Sequence, residues 1–229
     1  SAVKNILNSQ RIISENDINI IADSFISTGS EEKLNEYVKL LNEFSLERSE
    51  KVNEEIADLE KNLILEKDPQ KIKEKKQKIK TLKIEQEKLD SLKTKIASFE
   101  SLGVIEGNNI GITTVSDIKN NGIILTKEDL KLESKGNIIS KGAITVGKNA
   151  EIIGDNFNNE SLSIAGKLNT SINKNFVSKN LSIQDKAEIT ASKIINQGKL
   201  IANNDLLLTG NIDNDSEIST KGNIEIKGD

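Results

Sequence analysis

The sequence of 229 residues has no cysteine, histidine, tryptophan or methionine, a single proline and only 3% aromatic residues. Without cysteine there are no disulfides and no thiolate chemistry. Without both cysteine and histidine, an ordinary zinc or transition-metal site has lost its usual ligands. A hydrolase triad and a cysteine nucleophile are excluded in their usual forms for the same reason, and no cofactor is expected. No run approaches the roughly 18 apolar residues of a membrane helix. The net charge of −4 leaves no overall basic field, so neither nucleic acid nor membrane insertion is expected. Ser1-Ala2-Val3 is neither a start methionine nor a signal peptide, and the chain reads as an excised piece of something longer. An apolar share of 35% is low for a compact globule and suits a rod with a thin aliphatic core.

What is abundant is a four-residue pattern: a polar residue, an aliphatic, any residue, an aliphatic. It appears as Asn109-Ile110-Gly111-Ile112, Asp129-Leu130-Lys131-Leu132, Ala143-Ile144-Thr145-Val146, Ser161-Leu162-Ser163-Ile164, Asn180-Leu181-Ser182-Ile183, Asp205-Leu206-Leu207-Leu208 and Asn223-Ile224-Glu225-Ile226. The first aliphatics are 20, 14, 18, 19, 25 and 18 residues apart, a spacing that means stacked repeats. Period-2 alternation puts both aliphatics on one side of a short strand. Such a strand buries too little by itself, but coils stacked ~4.8 Å apart join the aliphatics into one column. Seven coils are read this way from residue 103 onward. The expected fold is mainly β, a right-handed parallel β-helix, because right-handed crossovers are strongly favoured; a β-sandwich is the alternative. Glycine and asparagine between the strands, as in Asn121-Gly122, Lys141-Gly142 and Gln197-Gly198, suit corners that need positive φ. Asparagines at successive corners can stack as a structural ladder.

Two segments share a longer pattern of Asn or Gln with Gly, a strand, a polar turn and Asp-Leu-x-Leu. They are Asn121-Gly122-Ile123-Ile124-Leu125 running to Asp129-Leu130-Lys131-Leu132, and Gln197-Gly198-Lys199-Leu200-Ile201-Ala202 running to Asp205-Leu206-Leu207-Leu208. These repeats resemble those of filamentous haemagglutinin and the CdiA contact-dependent inhibition proteins, the large exoproteins of two-partner secretion. The likeness covers 103–229 and, more faintly, Ile6 to Gly29. It implies export through an outer-membrane partner transporter and display on a Gram-negative cell surface. It also implies a role in adhesion, or in presenting a toxin or effector carried elsewhere.

Between 30 and 102 the period changes. Ser30 is a suitable helix cap, with Glu31 and Glu32 in the first turn. A stripe of Leu34, Tyr37, Leu41, Phe44, Val52, Ile56, Leu59 and Leu63 follows at helical spacing, interrupted by Arg48. Asp68 can cap a second helix with Pro69 at its first position, and its stripe is Ile72, Ile79, Leu82, Leu89, Leu92, Ile96 and Phe99. Ser101-Leu102-Gly103 supplies the stop. Residues 31–66 carry eleven acids and five bases, and 70–100 carry ten bases and five acids. A short connection and this complementarity predict an antiparallel coiled-coil hairpin. The expected organisation is therefore 1–29 β-helix, 30–102 helical insertion and 103–229 β-helix. At ~50 Å the hairpin exceeds a shaft of ~30 Å, so its tip at Lys67, Asp68, Pro69 and Gln70 is the expected contact with a partner.

Other chemistry is thin. Asp213, Asp215 and Glu217 form the one dense acidic patch of the β region, and their spacing predicts a shared solvated face rather than catalysis. Asn211-Ile212-Asp213-Asn214-Asp215 begins like a calcium loop but has Ser216 and Gly222 where glycine and glutamate belong. Lys71 to Lys83 reads as a solvated face matched to the acidic arm, not a nucleic-acid patch. The expected function is not enzymatic: a shaft segment of a secreted surface protein, meeting a protein or glycan on a host or neighbouring cell. The alternatives are a self-standing oligomerisation module, a carbohydrate-active β-helix enzyme and a phage fibre.

Overall fold

The computed structural model describes residues 5–29, 32, 33, 36, 39, 40, 43, 46–97 and 102–228. The expected cap at Ser30 and Glu31, the stripe residues Leu34, Tyr37, Leu41, Phe44 and Phe99, and Ser101 lie outside the described residues. The chain divides into two compact units, 1–34 with 101–229, and 35–100.

The first unit is mainly β. In chain order its strands are β1 (Asn5–Asn8), β2 (Arg11–Ile13), β3 (Ile18–Ala22), β4 (Ser24–Ser27), β5 (Val104–Gly107), β6 (Ile110–Thr114), β7 (Ile118–Asn120), β8 (Ile123–Thr126) and β9 (Leu130–Ser134). They continue as β10 (Asn137–Val146), β11 (Ala150–Gly154), β12 (Asn156–Ile164), β13 (Leu168–Ile183), β14 (Ala187–Ala202), β15 (Leu206–Asn214), β16 (Glu217–Thr220) and β17 (Ile224–Lys227). Every pairing is parallel and joins a strand to its counterpart one coil on. The result is a single solenoid-like sheet with three faces. The first face stacks β2, β5, β8 and then parts of β10, β12, β13 and β14, ending at β16. On the second are β3, β6, β9, β11, parts of β13, β14 and β15, and β17. The third runs from β1 and β4 through β7 to the remaining parts of β10, β12, β13, β14 and β15.

This geometry corrects the reading of the repeat as one series of rungs. The patterns at Ile110 and Leu130 lie on the second face, those at Ile144, Leu162 and Leu181 on the first, and those at Leu206 and Ile224 on the second again. The intervals of 14 and 25 are steps between faces. Along the second face the register runs from Ile110 to Leu130, Ala150, Leu168, Ala187, Leu206 and Ile224, an even spacing of 18 to 20. Both faces carry the same alternating aliphatics, so the pattern alone does not separate them.

Inward positions form one aliphatic core, with Ile105, Ile112, Ile124, Leu132, Ile152, Leu168 and Ile189 fully buried. The third face adds the ring pair Phe157 and Phe176, 5.2 Å between centroids. At its end, where the chain turns toward the first face, a second column is polar: Asn8, Ser27, Asn120, Ser140, Asn159, Ser178 and Asn196 are all buried and stack in register. Each asparagine amide donates to the opening carbonyl of the first face one coil on: Asn8 to Val104 (3.4 Å), Asn120 to Ala143 (3.4 Å), Asn159 to Asn180 (3.4 Å) and Asn196 to Glu217 (3.0 Å). Serines instead reach the corner itself, Ser27 donating to the Gly103 carbonyl (3.0 Å) and Ser140 to that of Gly142 (3.3 Å). Two other columns of side chains lie on the outside. Asp17 accepts from Asn109, Asn109 from the Asp129 N–H, and Asp129 from Asn149; elsewhere Asn137 accepts from Asn156, and Asn156 from Asn175.

The second unit contains α1 (Leu46–Leu65) and α2 (Pro69–Ala97), the latter ~44 Å long at 1.5 Å per residue. Val52, Ile56, Leu82 and Leu89 make its apolar cluster, with Leu59 packed against it. Arg48 pairs with Glu85, Glu55 with Lys78 and Glu66 with Lys75; rising numbers meet falling ones, so the helices run in opposite directions. Arg48 interrupts the stripe because it grips Glu85 through two nitrogens, at 2.7 and 2.8 Å.

The glycine corners work differently from the expectation. Gly210 alone has a left-handed φ, 131°; the others are needed where coils approach closely. A Cβ on Gly122 would run into the Gly103 carbonyl, and one on Gly142 into that of Gly122. At Gly111 it would meet only the movable amide of Asn19, at 2.8 Å. Gly122→Ala is expected to lower stability by about 1–3 kcal/mol and Gly111→Ala to change it by no more than about 0.5 kcal/mol. Denaturant midpoints of the two variants check this, and equal midpoints would show that corner contact does not limit the stacking.

Candidate binding surfaces

The helical insertion enters and leaves the solenoid through one corner. Ser27 is in register with Asn120, and Val104 with Ile123, so Thr28 and Gly103 stand where Asn121 and Gly122 make the whole corner one coil on. The Gly103 N–H donates to the Thr28 carbonyl at 2.7 Å, and the Asn121 N–H to that of Ser27 at 2.8 Å. The corner's backbone therefore closes between Thr28 and Gly103, and of the residues between, Leu102 is fully buried beside Gly29.

At the end of the helix pair where the chain reverses, Glu66, Lys67 and Asp68 connect α1 to α2. Of the expected contact residues, Lys67 and Asp68 lie in this connection, while Pro69 and Gln70 open α2, and all four are exposed. Asp68 caps α2, its Oδ1 accepting from the backbone N–H of Gln70 at 2.9 Å and of Lys71 at 3.4 Å. The Gln70 amide donates to Glu74 at 2.9 Å. Glu66 accepts from Lys75 Nζ (2.9 Å) and from the N–H groups of Lys67 and Asp68. The Lys75 ammonium and then the Asp68 N–H hold the Glu66 carboxyl below its ordinary range. Three of the four expected residues thus shape the turn, and Lys67 is left as the one offering a charge outward.

The sequence reading missed the neighbours of this turn. Ile64 and Leu65 are 83% and 78% exposed, the most exposed large apolar side chains among the described residues. The signal was the run Leu63-Ile64-Leu65, because successive helical residues are ~100° apart and cannot all meet one partner helix.

A second surface lies on the outside of the solenoid's second face, an open groove of about 510 Å³. Gly111, lacking a side chain, forms its floor beside Thr113 and the exposed Ile21, and Asn169 lies at its far end. Lys131 is held between Glu133 (3.2 Å) and Glu151 (3.3 Å), and these two carboxylates raise its pKa, the hydrogen bond to Glu133 being the largest cause. Asp129, Glu133 and Glu151 outnumber the single Lys131, so the groove is acidic on balance, and beside those carboxylates it offers hydroxyl and amide hydrogen bonding.

The acidic residues expected to share a face do not. Asp213 faces out from the third face and pairs with Lys193 at 3.0 Å. Asp215 occupies the corner, and Glu217 opens the first face. A corner between alternate residues breaks the period that would have aligned them. Among the described residues no group of three acids is close enough to hold a metal ion, and no helix is long and apolar enough to cross a membrane. No family model, curated protein or solved structure matches the chain, so the reading of these surfaces rests on their own residues.

The depressed Glu66 fixes a sign for pH. Its contribution to the turn is complete above the unfolded value of about 4.3 and is lost as pH falls through the lower folded value. Carboxyl NMR titration should find the Glu66 midpoint below that of an ordinary glutamate and higher again in Lys75→Met. An identical midpoint in the variant would show that the Lys75 contact does not form in solution.

Proposed function

We propose that the chain is a segment of a secreted surface exoprotein of the filamentous haemagglutinin and CdiA kind. In this reading the solenoid is a right-handed parallel β-helix shaft, and the insertion is a coiled-coil hairpin that meets a partner on another cell. The shaft presents; it does not catalyse. The observation that carries the reading is the corner at Thr28 and Gly103. A solenoid whose backbone already closes there has no need of the insertion for its own stacking. The helices also have their own apolar cluster at Val52, Ile56, Leu82 and Leu89. An element that its host can do without is best explained by what lies outside the host. The resemblance of the repeats adds export and display, with adhesion or presentation of an effector as the outcome.

The test is to delete residues 29–102 and join Thr28 directly to Gly103, reproducing the corner at Asn121 and Gly122. The deleted form is expected to keep its strand content by far-UV circular dichroism, since every rung remains. Flow cytometry with fluorescently labelled protein on epithelial and Gram-negative bacterial cells should then show binding by the intact chain and background signal from the deletion. Equal signals from the two, or none from either, would overturn the reading.

A further inference from the structure

The turn between α1 and α2 joins exposed aliphatics to unmatched positive charge. Ile64 and Leu65 stand open at the last turn of α1. Residues 61–76 contain six lysines and three acids, and each acid is already engaged: Glu66 with Lys75, Asp68 with the first N–H groups of α2, and Glu74 with Gln70. Glu60, just before them, pairs with Lys83 at 2.8 Å. Lys61, Lys67, Lys71, Lys73 and Lys76 have no ion-pair partner among the described residues. The chain as a whole is acidic, but this end of the helix pair is basic.

We propose that this end of the helix pair docks on an anionic lipid bilayer. Ile64 and Leu65 enter the boundary between headgroups and acyl chains, and the lysines lie against lipid phosphates. Exposed aliphatics flanked by lysines are what an interfacial membrane contact requires, since apolar burial and attraction to anionic lipid add together. Long lysine stems can keep their ammonium groups in water while the neighbouring aliphatics sink. A protein partner is the less suited occupant, because binding energy between proteins concentrates in tryptophan, tyrosine and arginine seated in pockets, and 61–76 contains none of the three. The inference rests on the reading of the helix pair as the contact element. It also departs from the expectation that membranes take no part, which followed from the net charge of the entire chain.

The experiment is co-sedimentation of the full chain with vesicles of phosphatidylcholine alone and of phosphatidylcholine mixed with phosphatidylglycerol. The chain is expected to bind the mixed vesicles, to bind the neutral ones far less, and to be released by high salt. The double variant Ile64→Ser, Leu65→Ser, whose positions are solvent-exposed, should keep its helix content and lose at least about tenfold in vesicle affinity. Absence of binding to mixed vesicles, or equal binding by the double variant or by the 29–102 deletion, would overturn the lipid contact. If vesicles fail while the deletion still abolishes binding to cells, the helix pair remains the contact element and its partner is a protein or glycan. If the deletion leaves cell binding intact, the reading of the helix pair itself fails.

Discussion

Each coil of the solenoid can satisfy its backbone only through the coils on either side. A strand of four or five residues has no partner within its own coil, so its N–H and C=O groups depend on a counterpart in register one turn on. Register can hold over many coils only if every corner is turned in nearly the same way. The corner between the third and first faces shows how narrow that condition is. Gly103, Gly122 and Gly142 follow one another so closely that a Cβ on Gly122 or Gly142 would strike the carbonyl of the glycine before it.

The polar column inside that corner follows from the same constraint. A sharp turn takes backbone groups off the strand ladder while they are still buried, where an unmade hydrogen bond costs roughly 1–3 kcal/mol. Asparagine spans one rung to the next opening carbonyl, and serine reaches only to its own corner, so from Asn8 to Asn196 long and short side chains alternate along the column. One of the inward columns is thus built from amides and hydroxyls and not from aliphatics. Asn159 Oδ1, Ser178 Oγ and Asn196 Oδ1 have no hydrogen-bond partner among the described residues, so the column is least well satisfied across β12, β13 and β14.

The aliphatic alternation made the parallel solenoid legible in the sequence, because period two fixes which residues face inward whatever the face. It did not show which face a given strand belongs to. Asn180-Leu181-Ser182-Ile183 and Asp205-Leu206-Leu207-Leu208 look alike and lie on different faces, and only the third face differs in kind, through its Asn or Ser at the fourth position. The polar turn at Asp68 and Pro69 was readable because cap and proline have fixed places in a helix. The exposure of Ile64 and Leu65 was not, since an aliphatic at the end of a helical stripe carries no mark of whether a partner covers it. The groove beside Gly111 and Lys131 was hidden for a different reason: its residues come from separate coils and meet only through the register.

Charge behaves in the same way, through sorting and not through totals. Acids dominate the first helical segment and lysines the second, and part of that imbalance is consumed where the helices meet, by Lys78 with Glu55, Lys83 with Glu60 and Lys75 with Glu66, while Arg48 with Glu85 is a pair of the opposite sense. Near the reversal the two segments no longer match residue for residue: the acids are drawn into capping the turn, and lysines beyond the facing positions have nothing opposite them. A surplus of one sign therefore collects at the turn although the whole chain carries the other sign. Charges more than a Debye length away, about 10 Å at ordinary ionic strength, are largely screened, so a surface that comes within that distance of the turn meets this local field, and the net charge of the chain says little about it.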